Sequence, residues 1–487
     1  MTESLRKKAE RGVLWSFIDA AGNRIVQFVI GVTLARLLLP AEFGLIGMLT
    51  IFIAVAQALL DGGFIVTLIQ KKDVTEVDAS SVFYFNVVIG SVLTGLMYLA
   101  APWIASFYRQ PDLCALSRAI SLVFVINSLG AVQLAMLSRD IAFKIQAKVS
   151  LISAICSGGI GVTLAYWGYG VWSLVAQQIS RALFSAVLLW VFSRWRPGLV
   201  FSFIALRRMF TFGSRLLVSG ILDQVFSNIY YPVIGKVFSP SDLGYYTRAT
   251  HLQELPSLTL TQAVARVALP VFSSIQDEGA RFKRGLQKVL CLLTFLIAPI
   301  MVLLAVTAPS LVKVLLTEKW LPCVPYLQML SIQGVLYPLH VLNVNVLIAR
   351  GRSDLFLRLE IIKKSLILCN VIISWRWGIT AIITGQIALS FVSYFLNSYY
   401  TGKLLGYSAW EQLRDMAAYL VSAVAVGAGV YALQYVGLPS ATLLLVVQVV
   451  FGVAGYLLLC GLLRLPAFLD TWRLVAPRVP IVARFVS

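Results

Sequence analysis

The sequence predicts an all-α polytopic membrane protein of about 14 transmembrane helices, built as two six-helix lobes plus two extra C-terminal helices. Three observations predict it. Apolar runs of membrane-spanning length alternate with short polar loops roughly every 35 residues, and a bilayer core about 30 Å thick needs about 20 residues at 1.5 Å rise. Lys and Arg collect in alternate loops. A turn between two spans repeats later in the chain. Composition agrees: of 487 residues, 59% are apolar and 13% charged, against about 25% charged in soluble domains. No hydrophilic interval is long enough to bury a core of its own.

The expected spans are 13–38, 43–69, 81–105, 119–137, 147–167, 171–193 and 210–238, then 243–270, 287–308, 325–348, 357–376, 378–400, 415–436 and 440–463. The first follows Arg6, Lys7, Lys8 and Arg11. Its apolar run is too long for a signal-peptide core and no small-residue cleavage site follows, so it is expected to stay as a span. The even-numbered links then carry the cations: Lys71, Arg139, Lys144 and Lys148, Arg194 to Arg215, Arg281 to Lys288, Arg350 to Lys364, and Lys403 with Arg414. With the basic tail beyond span 14, about 29 cations lie on one side, which places both termini in the cytoplasm by the positive-inside rule. A missed span would scramble this sorting.

The net charge of +19 would suggest nucleic acid in a soluble chain. Here it reads as topology, and no nucleic-acid partner is expected. The six cysteines are scattered, with neither metal-ligand spacing nor a disulfide framework. No G-x-x-x-x-G-K-[ST] segment is present, so ATP hydrolysis by that route is excluded. The outer intervals 106–118 and 309–324 have room for a short amphipathic helix, not for a catalytic domain.

Ala35-Arg36, then Pro40-Ala41-Glu42-Phe43-Gly44, returns 200 residues later as Gly235-Lys236, then Pro240-Ser241-Asp242-Leu243-Gly244. Proline suits the first helical position and an acid nearby suits a helix N-terminus. Asp19, Asn23 and Gln27 form a polar stripe on helix 1, and Ser219, Asp223 and Ser227 form one at the same register on helix 7. Ala101-Pro102-Trp103-Ile104 closes span 3 as Ala308-Pro309-Ser310-Leu311 closes span 9. Six spans precede the restart, so the halves run the same way: a parallel repeat, as in transporters that bind cargo between halves. The expected division is 1–200 for the N-lobe, 201–405 for the C-lobe, and 406–487 for helices 13–14 and a cytoplasmic tail.

A charge at mid-bilayer costs about 2.5–3.5 kcal/mol on insertion scales and persists where it meets a wet cavity or a partner. Arg24, Arg181 and Arg266 lie within spans, as do His340 and the acids Asp61, Asp223 and Glu254. Arginine presents a planar fork that suits phosphate oxygens. Arg24, Arg181 and Arg266 are therefore candidates for an anionic headgroup or acidic sugars, with His340, Tyr230 and Tyr231 offering stacking or hydrogen bonds to sugar. Other readings stay open: Arg24 pairs with Asp19 or a neighbouring acid, Arg266 snorkels to the inner surface as Arg36 does, and His340 packs. Asp61, Asp223 and Glu254 are either an ion-coupling site for H+ or Na+ or partners of nearby arginines. No cofactor is expected.

The opening Gly12-Val13-Leu14-Trp15-Ser16, the stretch from Ala35 to Gly44, Phe107-Tyr108 with Pro111 and Leu113, and the run from Lys236 to Tyr246 carry a family resemblance. The chain resembles the polysaccharide-export branch of the multidrug/oligosaccharidyl-lipid/polysaccharide flippases, above all the Wzx-type transporters. The likeness covers the whole chain, including the 6+6+2 span count, and none of its motifs is catalytic. It implies alternating access by two lobes and a polyprenyl-diphosphate-linked oligosaccharide as cargo, moved to the periplasmic leaflet through a cationic cavity. It implies the bacterial inner membrane as location, with membrane lipids and a glycan polymerase or export complex as further partners. The rival readings are a cation-coupled small-molecule antiporter of the same architecture and a membrane-embedded glycan polymerase or ligase. The extra helix pair and deep arginines argue against the first, the short outer loops against the second.

Overall fold

Each of the fourteen expected spans falls on helix among the described residues, with 43–69 and 210–238 each divided between two helices. The computed structural model describes residues 3–61, 63–71 and 73–475, without the side chains of 3–14, 16–20, 211–213, 215–216, 266–267, 269–270 and 474–475. Asp19 and Arg266 thus lie outside the described side chains. Two compact units are formed, Met1–Thr247 and Arg248–Ser487.

The first unit contains α1 (Glu3–Leu37), α2 (Pro40–Asp61), α3 (Phe64–Gln70), α4 (Glu76–Tyr108) and α5 (Asp112–Arg139). It continues with α6 (Phe143–Tyr166), α7 (Val171–Phe192), α8 (Phe203–Ser227), α9 (Tyr230–Val237) and the start of α10 (Pro240–Ser274). The second unit holds the rest of α10, then α11 (Gly279–Val306), α12 (Ala308–Leu315), α13 (Val324–Ala349) and α14 (Ser353–Ser374). It ends with α15 (Ile379–Leu405), α16 (Ala409–Ala432), α17 (Ala441–Leu462) and α18 (Pro466–Val475).

Among the described residues, 10 helical segments are long and apolar enough to cross a membrane. The other expected spans fall on α1, α8, α10 and α14. Each is long enough, but each carries charge along its length: Arg24 in α1, Asp223 in α8, Arg248 and Glu254 in α10, and Glu360, Lys363 and Lys364 in α14. Hydrocarbon does not tolerate such groups without partners or a cavity, so these four helices mark where polarity is concentrated.

The helix starts follow from local chemistry. Glu42 Oε2 accepts from the Leu39 backbone N–H at 2.6 Å, and Asp242 Oδ2 accepts from the Ser239 N–H at 3.2 Å. The two repeated turns thus close the same donor with an acid at the third helical position. Thr75 with Asp78, and Ser408 with Glu411, form reciprocal capping boxes for α4 and α16. Ser202 and Ser440 cap α8 and α17. Between α13 and α14, Arg352 grips Asp354 with two bonds of 2.9 Å, which lowers that carboxyl to about 2.

The third sequence echo differs in structure. Pro102 lies inside α4, which continues to Tyr108, whereas α11 ends at Val306 and Pro309 lies in the first turn of the separate α12. Proline occupies a first turn without loss but removes a hydrogen bond inside a helix. The same tetrapeptide pattern therefore lies inside a helix in one half and at a helix start in the other.

In the second unit the core runs along α11, where Phe282, Leu286, Leu290, Leu293, Ile297 and Met301 are buried at helical spacing. In the first unit Phe64 and Leu68 of α3 pack with Val82 and Phe83 of α4, Val132 of α5, and Leu206 and Met209 of α8.

Candidate functional site

Asn23 and Gln27 of the α1 stripe meet α6 and α7. Asn23 Nδ2 donates to Ser150 Oγ on α6 at 2.7 Å. Asn23 Oδ1 accepts from Arg181 Nη2 on α7 at 3.4 Å. With the Gln27 carboxamide turned oxygen-inward, that oxygen accepts from Arg181 Nη1 at 2.6 Å and Nη2 at 2.7 Å. The stripe therefore positions a guanidinium that is only half-buried. The amide oxygens of Asn23 and Gln27 accept from the guanidinium, so these contacts orient the planar Arg181 fork. Asp61, one helical turn beyond Gln57 on α2, accepts from Gln57 Nε2 at 3.1 Å, and Gln57 Oε1 accepts from Asn127 Nδ2 on α5 at 3.2 Å.

The other expected site residues fall as follows. Arg24 is half-buried on α1 and Asp223 is exposed on α8. Tyr230 and Tyr231 open α9, with Tyr231 edge-on to Tyr246 at 5.8 Å between ring centroids. Arg181, Arg24, Asp61, Asp223 and both tyrosines thus belong to the first unit, and His340 and Glu254 to the second. His340 Nε2 pairs with Ser390 Oγ at 2.9 Å, and its Nδ1 with Asn397 Nδ2 at 3.5 Å. Both ring nitrogens are thus engaged by α15, which locks the ring. Glu254 is exposed on α10.

Sequence reading missed three groups. Glu360 pairs with Lys363 and Lys364 ten or so residues into α14, rather than in the preceding loop. Arg248 is 8% exposed, with its guanidinium over the Trp320 ring at 5.8 Å. The carboxamides Gln57, Asn127 and Gln178 surround a cavity with Asp61. Their spacing was visible: Gln57 and Asp61 are four apart, and Gln178 and Arg181 three apart, each pair on one helix face.

The chain is 28% identical over 354 residues to the teichuronic acid biosynthesis protein TuaB of Bacillus subtilis, covering 72% of this chain and 73% of that protein. It is 26% identical over 407 residues to the lipopolysaccharide biosynthesis protein WzxC of Escherichia coli, covering 81% of each. Its fold matches the lipid II flippase MurJ in an inward closed conformation with a TM-score of 0.75, at 13% identity, covering 93% of this chain and 98% of that one. The family model of the polysaccharide biosynthesis proteins matches residues 33–325, more than half of the sequence, and the chain belongs to that family.

Proposed function

We propose that this protein is a flippase that moves a polyprenyl-diphosphate-linked oligosaccharide from the cytoplasmic to the periplasmic leaflet for export of a surface polysaccharide. It is a transporter, not a catalyst, and a multi-pass membrane protein. The observation that carries the reading is the half-buried Arg181 guanidinium, held by Asn23 and Gln27 among membrane-length helices in a polysaccharide-biosynthesis family member. A diphosphate needs a charged, forked donor to leave water. The named roles of TuaB and WzxC in glycan biosynthesis support a sugar-bearing cargo.

In this reading Arg24, Arg181 and Arg266 meet the diphosphate or acidic sugars, and His340, Tyr230 and Tyr231 meet sugar. Asp61, Asp223 and Glu254 are the coupling carboxylates for H+ or Na+. The lobes correspond to 1–200 and 201–405, with 406–487 appended, both termini are cytoplasmic, and the protein sits in the bacterial inner membrane beside a glycan polymerase or export complex. Deleting the gene tests this. Lipid-linked glycan should accumulate on the inner leaflet and surface polysaccharide should fall. Unchanged surface polysaccharide in the deletion strain would overturn the proposal.

A further inference from the structure

Helices α2, α5, α7 and α8 of the first unit line an open cavity of about 400 Å³, within the range of small-ligand pockets of about 300–1,000 Å³. Its polar lining is Thr50, Gln57, Asp61, Asn127, Gln178 and Gln224, with no Lys or Arg. Carboxamides inside a membrane domain are costly unless they find hydrogen-bond partners. Here some of that need is met internally, through Asn127 to Gln57 and Gln57 to Asp61. Those bonds consume one Asn127 hydrogen, one Gln57 oxygen and one Gln57 hydrogen, and leave further donors and acceptors on the same amides. Gln178 is half-buried and makes no side-chain hydrogen bond among the described residues.

We infer that this cavity is the glycan subsite: it takes the hydroxyl and acetamido groups of the sugar next to the diphosphate, with Gln57, Asn127, Gln178 and Gln224 as ligands. The inference rests on the proposed function and adds to it which residues read the sugar. Three features favour sugar. Neutral side chains carrying both donors and acceptors match a pyranose, whose hydroxyls are donors and acceptors at once. The lining lacks the cations a phosphate needs. Gln178 lies three residues before Arg181 on the same face of α7, a separation of about 4.5 Å along the helix. The sugar is joined directly to the diphosphate, so a diphosphate at Arg181 places its first ring within reach of Gln178.

The test uses the full chain in nanodiscs and two probes: the lipid-linked glycan extracted from cells lacking this gene, and bare undecaprenyl diphosphate. Wild-type protein should hold the sugar-bearing lipid more tightly than the bare one. Gln178→Leu and Asn127→Leu should each weaken binding of the sugar-bearing lipid by about three- to tenfold, the worth of one or two neutral hydrogen bonds. Binding of bare lipid should not change, which also shows that the variants are folded. Three results would overturn the inference: equal wild-type affinity for both lipids, an unchanged preference in both variants, or variants that alter only the sodium or proton dependence of transport. Wild-type protein that binds neither lipid would instead remove the flippase reading itself.

Discussion

Gly44 and Gly244 occupy equivalent places: Gly44 lies against the Pro240 carbonyl, and Gly244 lies against the Pro40 carbonyl. A Cβ on either glycine would overlap the other turn's backbone. Residue i meets residue j and j's equivalent meets i's, which is the contact pattern of a local two-fold. The turn that recurs in the sequence is therefore a structural joint in which the two copies hold one another. The cap bonds from Glu42 and Asp242 keep both prolines in register for that contact.

Gly44→Ala and Gly244→Ala should each destabilise the protein. Forcing a methyl into a packed contact costs about 1–3 kcal/mol, and here the obstacle is backbone, which cannot rotate away. The expected readout is a lower melting temperature in detergent and less folded protein in membranes. A melting curve unchanged in both variants would show that the turns separate at no cost.

Arg181→Ala should reduce glycan export by about ten- to a hundredfold at equal protein level, since hydrogen bonds to a charged group are worth about 1.5–3 kcal/mol. Arg181→Lys should recover little, because an ammonium cannot engage two amides and a diphosphate with one planar fork. Gln27→Leu should give a smaller loss through misorientation of the guanidinium. The measurement is surface polysaccharide per cell; full export by Arg181→Ala would remove this residue from the cargo path.

Gln412 and Asn343 exchange a reciprocal pair of amide bonds, each 3.0 Å, in the core of the second unit, and both are at most 1% exposed. Gln412→Leu should cost about 1–3 kcal/mol by taking the donor from Asn343 Oδ1 and the acceptor from Ser398 Oγ, while Asn343 Nδ2 keeps its bond to the Leu339 carbonyl. Adding Asn343→Leu should return part of that loss. A double variant worse than the sum of the two singles would show that the pair is needed for more than mutual satisfaction.

Reporter fusions test the topology. A fluorescent protein inserted after Asp140, between α5 and α6, should fold on the cytoplasmic side and be bright. Alkaline phosphatase inserted after Gln110, between α4 and α5, should be active. The opposite pattern would invert the assigned orientation.

The sequence by itself determined the membrane character, the positions of the helices and the repeated turn. Those features depend on bilayer thickness and on chemistry within a few residues, such as Pro40 with Glu42 and Pro240 with Asp242. It also marked Arg181, Asn23 and Gln27 as polar groups out of place, because a charge among apolar neighbours is visible in one dimension. Charge counting alone assigned Lys363 and Lys364 to an inner loop, since a sum over residues cannot distinguish a loop from a helix interior. Only the tertiary structure decided that Arg181 meets Asn23 from 158 positions away, that Gly44 meets Pro240, and that four carboxamides from α2, α5, α7 and α8 share one cavity. Such meetings depend on which helix faces pack together, and that is set by the fit of many side chains at once rather than by any local pattern.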